Sequence, residues 1–79
     1  MHKSIYTQQH KRLCELLIEA RKKASLTQTQ IAERLGKPQS FVAKYEDGER
    51  RLDVVEFLAV TRAIGIDPEE VLRSVSRIS

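Results

Sequence analysis

The chain has one cysteine, no tryptophan, three glycines and two prolines in 79 residues. A single thiol, Cys14, excludes an intrachain disulfide and any zinc site built on several cysteines. The two histidines, His2 and His10, both lie near the N-terminus and bring no ligand set with them, so no metal and no other cofactor is expected. No apolar run approaches the roughly 20 residues of a membrane span. No apolar stretch near Met1 resembles a secretory leader, so a cytoplasmic protein with no membrane partner is expected. Glycine-rich phosphate loops, GxSxG elbows and HExxH pairs are all missing. Five short helices leave little room for a substrate pocket, and an enzyme is not expected. What is present is 41% hydrophobic and 32% charged residues with a net charge of +3, the profile of one small folded domain. Aromatics are scarce, so Leu, Ile and Val must supply most of the core, with Phe41, Tyr45 and Phe57.

The most informative stretch is Leu26 to Gly48, LTQTQIAERLGKPQSFVAKYEDG. Thr27 stands where a helix N-cap is needed, and Gln30 completes a capping box three residues on. Ile31, Ala32 and Leu35 form one apolar face, and Gly36 ends the helix. Pro38 suits the start of a second helix, which runs over 39–46 with Val42 and Tyr45 inward and stops at Asp47-Gly48. Helix, tight glycine turn, helix is the layout of a DNA-binding helix-turn-helix.

The flanking chain is helical too. Residues 1–6 read as a flexible N-terminal arm, and 7–79 as a single domain. Leu13, Leu17, Ala20 and Ala24 mark the apolar face of a first helix over 7–24, with Arg21 beside that face and so a candidate for a partner inside the fold. Asp53 and Glu56 form a second capping box for a helix reaching Ile64, and Gly65 closes it. Asp67-Pro68-Glu69-Glu70 starts a last helix, expected over 68–77. Val71, Leu72, Val75 and Ile78 line one stripe of it. The total is five helices and no strand signal, an all-α fold.

Gln39 and Ser40 open the second helix of the motif, with Phe41 and Lys44 following. Gln pairs bidentately with adenine, Ser bonds most bases, Lys favours guanine, and Phe touches a thymine methyl. Gln39, Ser40, Phe41 and Lys44 are therefore candidate base readers; alone, the first two could equally be capping and solvating residues. Gln28 and Thr29 begin the preceding helix, where free N–H groups attract phosphate. Lys37, Arg50 and Arg51 cluster about the reading helix as further phosphate candidates, although each taken singly could be a solvated charge.

The segment LTQTQIAERLGKPQSFVAKYEDGERRLDVVEFLAVTRAIGIDPEEVL resembles the phage repressor/Cro-type (XRE) helix-turn-helix regulators. The Leu-Thr-Gln start, Ala-x-x-Leu-Gly turn, Gln-Ser-x-Val, Tyr-Glu-x-Gly and Ala-Ile-Gly-Ile all fall in register. The resemblance implies a compact five-helix bundle of the lambda-repressor-like DNA-binding type. It implies base reading by Gln39, Ser40 and Lys44, phosphate binding by Gln28, and a structural ion pair between Arg21 and Glu46. Phe41 is bulkier than the family's usual small polar residue, which favours packing against a neighbour there. No second, ligand-binding domain is evident, so small-molecule sensing is not expected.

Family members usually act on double-stranded DNA as homodimers at palindromic operators. Val71, Val75 and Ile78, with Leu58 at their side, either form that dimer interface or close the monomer core; Val71 and Leu72 suit the core better, Val75 and Ile78 the interface. The expected function is a transcriptional repressor or autoregulator. Two alternatives keep the fold: an antitoxin that neutralises a protein toxin and autoregulates its operon, and a protein-interaction module without DNA binding.

Overall fold

The structure, a computed structural model, describes residues 5–78, with side chains from Thr7 onward. Among the described residues there are five helices and no strand: α1 (Ile5–Lys23), α2 (Gln28–Leu35), α3 (Gln39–Glu46), α4 (Val54–Ile64) and α5 (Pro68–Ser76). Residues 1–4 of the expected arm lie outside the described residues. Ile5 and Tyr6 belong to α1, so the first helix begins two residues earlier than periodicity suggested.

Local chemistry sets most helix ends. The Thr27 hydroxyl accepts from the Gln30 N–H at 3.0 Å while Gln30 Oε1 accepts from the Thr27 N–H at 2.8 Å. Asp53 and Glu56 make the same reciprocal box on α4 at 2.7 and 3.0 Å. Gly36, at φ 69°, closes α2, and its left-handed backbone lets the Lys37 N–H reach the Ala32 carbonyl. At the end of α1 the same left-handed position is occupied by Ser25, at φ 60°. There the Leu26 N–H reaches the Arg21 carbonyl at 3.1 Å. Ala24 falls past the helix end and is exposed, not part of the inner face. Pro38 is the N-cap of α3 and not its first helical residue, and its side chain offers no cap hydrogen bond.

The core is assembled from all five helices. Leu17 of α1, Ile31 and Ala32 of α2, Val42 and Tyr45 of α3, Phe57, Val60 and Ile64 of α4, and Val71 of α5 are buried together. Each large aliphatic among them contributes on the order of 2–5 kcal/mol against truncation to alanine. α2 packs on α3 and α4, and α1 packs on α3 and α5. Arg34 Nη1 donates to the Ala63 carbonyl at 2.7 Å and ties the end of α2 to the end of α4. This packing sends Ile31, Val42 and Tyr45 inward and leaves the start of α3 facing solvent.

Val71 goes into the monomer core, at 8% exposure, the one of its two open places that suited it better, and so leaves little surface for the dimer interface in which it was also a candidate. Leu72, one step of 100° further around α5, is half exposed, contrary to its expected place in the core. Val75 and Ile78 are half-buried, and Gln9 Nε2 donates to both of their carbonyls at 3.4 Å, linking α1 to the end of the chain past α5.

Candidate nucleic-acid interface

The start of α3 is connected to the core through a chain of side-chain hydrogen bonds. Arg21 Nε donates to Glu46 Oε2 at 2.7 Å and Nη2 to Glu46 Oε1 at 3.1 Å. The two side chains are only 12% and 5% exposed. Arg21 Nη1 also donates to the Leu26 carbonyl at 2.9 Å. Glu46 Oε1 accepts a further bond from Gln28 Nε2 at 2.8 Å, and Gln28 Oε1 accepts from Gln39 Nε2 at 2.6 Å.

The carboxylate sets the direction of this chain. Glu46 can only accept, so Gln28 must turn its amide nitrogen inward and its oxygen outward. Gln39 must then spend one N–H on Gln28. It keeps its Oε1 and one N–H for solvent, the acceptor and donor that an adenine edge requires. Arg21 and Glu46 therefore do more than join α1 to α3: through Gln28 they orient the first residue of α3. Gln28, expected to hold phosphate, is committed at both ends of its amide and retains a single N–H. Thr29 beside it is exposed at the start of α2, near the free N–H groups of that helix end.

Lys37, Ser40, Phe41, Lys44 and Arg50 border one shallow groove along the outer side of α3. Ser40 and Lys44 are exposed there. Phe41 is half-buried and meets Tyr45 edge-on, with ring centroids 5.7 Å apart, so the larger side chain packs inward instead of projecting like a small polar reader. Lys37 Nζ lies 5.5 Å from the Phe41 centroid, and the Arg50 guanidinium carbon 4.8 Å. Arg50 is not a loose cation. It donates to both carboxylate oxygens of Glu56, at 2.9 and 2.7 Å, and to the Arg51 carbonyl at 3.1 Å. Those bonds to Arg50, and then the Asp53 N–H, hold the Glu56 carboxyl at about 2. Nothing in the sequence separated this pair from any other acid and base six residues apart.

Arg51 turns the other way. It borders a groove with His10, Cys14 and Gly48, between α1 and the end of α3, and is not brought to the outer side of α3 with the other candidates. The spacing of His10 and Cys14, four apart on α1, is a contact that reading by ligand sets passed over: Cys14 Sγ lies 3.7 Å from His10 Nε2 and donates to the Tyr45 carbonyl at 3.3 Å. Burial pushes the thiol up and the imidazole down, the latter with help from Arg51. Among the described residues no third His, Cys, Asp or Glu joins them as a metal ligand. Burial, and then Glu46, pushes the Tyr45 hydroxyl well above its ordinary value.

Residues 17–71 match the model of the helix-turn-helix family. Among solved structures, the chain is similar to an XRE-family like protein from Pseudomonas syringae pv. tomato, at 47% identity and a TM-score of 0.90, over 95% of this chain and 92% of that one. It is also similar to the restriction-modification controller protein C.AhdI from Aeromonas hydrophila, at 29% identity and a TM-score of 0.73, over 78% of this chain and 94% of that one. A search of curated proteins finds no match.

Proposed function

The chain belongs to the XRE-type helix-turn-helix family of DNA-binding transcriptional regulators, and from that premise we propose that it is a homodimeric repressor or autoregulator acting on a palindromic operator. α3 enters the major groove, with Gln39, Ser40 and Lys44 toward base edges. The observation that carries this reading is the Arg21–Glu46–Gln28–Gln39 chain. A surface glutamine has no need of a three-residue support reaching into the core; a base reader does, because discrimination depends on orientation. Phe41 supports the reading helix from below and offers its rim to a thymine methyl. Phosphates fall to Thr29, the remaining Gln28 N–H and Lys37, with Arg51 adding charge on the flank.

One subunit reads too few base pairs for an operator to stand out in a genome, which is the argument for a two-fold dimer. Leu72, exposed on α5 one turn from the half-buried Val75, and Ile78 just past the end of the helix offer a self-complementary stripe within the single domain of 7–79. Selection from random duplexes tests the proposal: an enriched palindrome is expected. If each subunit neutralises about three phosphates, affinity should fall about 10³-fold between roughly 50 and 200 mM salt. No enriched palindrome, or affinity indifferent to salt, would sink it, and a monomeric mass at working concentration would remove the dimer.

An antitoxin reading draws on a different observation, the exposed Val54, Val55 and Leu58 of α4, at 74%, 76% and 45%. It predicts a small co-expressed protein that co-purifies in fixed ratio and is lost on charging Val55 or Leu58, with operator binding retained.

A further inference from the structure

Arg50 sits just beyond α3, and its backbone N–H is bonded to the Lys44 carbonyl at 3.2 Å. Its guanidinium is fixed on several sides. One face lies against the Phe41 ring, which is itself packed on the buried Tyr45. The end of the fork is closed by the Glu56 carboxylate, and Nη1 spends its second proton on the Arg51 carbonyl. Glu56 is held in turn, since its Oε1 also accepts the Asp53 N–H at 3.0 Å in the capping box of α4. Of the five N–H donors of an arginine, three are used. The two left, on Nε and on the outer side of Nη2, share one edge of the plane and point the same way.

Resting on the DNA-binding reading above, we propose that Arg50 is a base-reading residue for guanine and that Glu56 is the positioning residue that holds its fork. A free edge with two parallel donors fits two acceptors in one plane, which a guanine O6/N7 edge and a phosphate both offer. The charge decides between them. Arg50 and Glu56 together are neutral, and a carboxylate behind the guanidinium opposes an approaching phosphate. Phosphate binding draws on net charge and counterion release, whereas base reading draws on directed donors, which the pair retains. The position agrees: Arg50 borders the groove of Ser40 and Lys44.

The test uses the operator selected by the whole protein. Dissociation constants are measured for the wild type, Arg50→Lys and Glu56→Gln, on that duplex and on duplexes with single base-pair changes in one half-site, over a range of salt. Lysine keeps the charge and loses the fork. Glutamine keeps the cap at the third position of α4 and loses the carboxylate. Circular dichroism melting checks that both variants fold. The wild type should prefer G·C at one position of the half-site, and Arg50→Lys should reduce that preference about 10- to 100-fold. Glu56→Gln should weaken the same preference while its salt dependence steepens by about one phosphate per subunit, because Arg50 is no longer neutralised. If instead Arg50→Lys leaves every base preference intact, or Glu56→Gln tightens binding equally on all sequences, Arg50 is a phosphate contact and the proposal fails while DNA binding stands. If the wild type selects no duplex at all, the DNA-binding reading fails first and takes this assignment with it.

Discussion

Arg21–Glu46 and Arg50–Glu56 both close at 2.7 Å, and both are doubly bonded between guanidinium and carboxylate. They differ in burial. The first pair is 12% and 5% exposed and joins α1 to α3; the second is 42% and 24% exposed and joins the loop after α3 to the cap of α4. In a dry site two charges lose their hydration, and their attraction only roughly restores it, so the buried pair gives orientation more than net stability. At the surface the loss and the gain are both small, and salt screens what remains. Chemistry that is identical on paper therefore has two consequences. The buried pair is expensive to break and organises Gln28 and Gln39 outward from the core. The exposed pair is cheap to break, and what it supplies is the direction in which two donors of Arg50 point.

The largest effect that could break this contrast comes from Glu46→Ala, which leaves Arg21 buried with only the Leu26 carbonyl. We expect a loss of about 3 kcal/mol or more in urea unfolding, the low end of the range for an orphaned buried charge, because Arg21 keeps an exposed edge. A loss below about 1 kcal/mol, the range of surface pairs, would remove the distinction. Replacing both members by apolar residues, Arg21→Met with Glu46→Leu, should restore most of the stability. It should not restore discrimination at the base read by Gln39, because Gln28 then has no acceptor to set its amide.

A smaller effect sharpens the same point from the other end. Gln28→Ala should leave the fold within about 1 kcal/mol of the wild type, since Glu46 keeps its bonds to Arg21. Yet Gln39 loses the oxygen that fixes it, and preference for its base pair should fall by about 1–2 kcal/mol. Competition binding with cognate and singly altered duplexes reads this directly. Equal weakening on every duplex would mean that Gln28 serves only phosphate.

Parts of this were legible in the sequence, for physical reasons. Capping boxes act within four residues, so Thr27 with Gln30 and Asp53 with Glu56 announce the starts of α2 and α4, and α3 falls on the residues its flanking signals enclose. Helical periodicity finds a face but not its edges. It placed Val71 and Leu72 alike, whereas packing on α1 and α4 buries one and leaves the other half exposed. Side chains that meet across a turn were the least legible. Arg50 and Arg51 are neighbours of one type, yet one folds onto Glu56 and Phe41 and the other faces His10 and Cys14. Only the path of the loop after Gly48 separates them. Gln28 was legible as a residue at the opening of α2, but its role as a relay depends on Glu46 arriving eighteen positions later with its carboxylate turned inward.

The smallest effect concerns Glu56 and acid. Its carboxyl is held at about 2 in the folded protein, against an ordinary value of 4.5, chiefly by the hydrogen bonds from Arg50 and then by the Asp53 N–H. A carboxyl whose folded value lies below its unfolded one contributes stability above the unfolded value, and loses that contribution as pH falls toward the folded one. The contribution should therefore be complete at neutral pH, begin to fade near 4.5 and be gone near 2. Glu56→Gln cannot lose it. The gap in denaturation midpoint between wild type and variant should hold steady above about pH 6 and narrow as acid is added. Raising the salt at neutral pH should narrow it too, since solvent reaches both partners and screens them. A gap that ignores salt and acid alike would show that the Glu56 carboxylate does not act through its charge on Arg50, since glutamine keeps the cap; the contrast between the two pairs would then rest on the buried one alone.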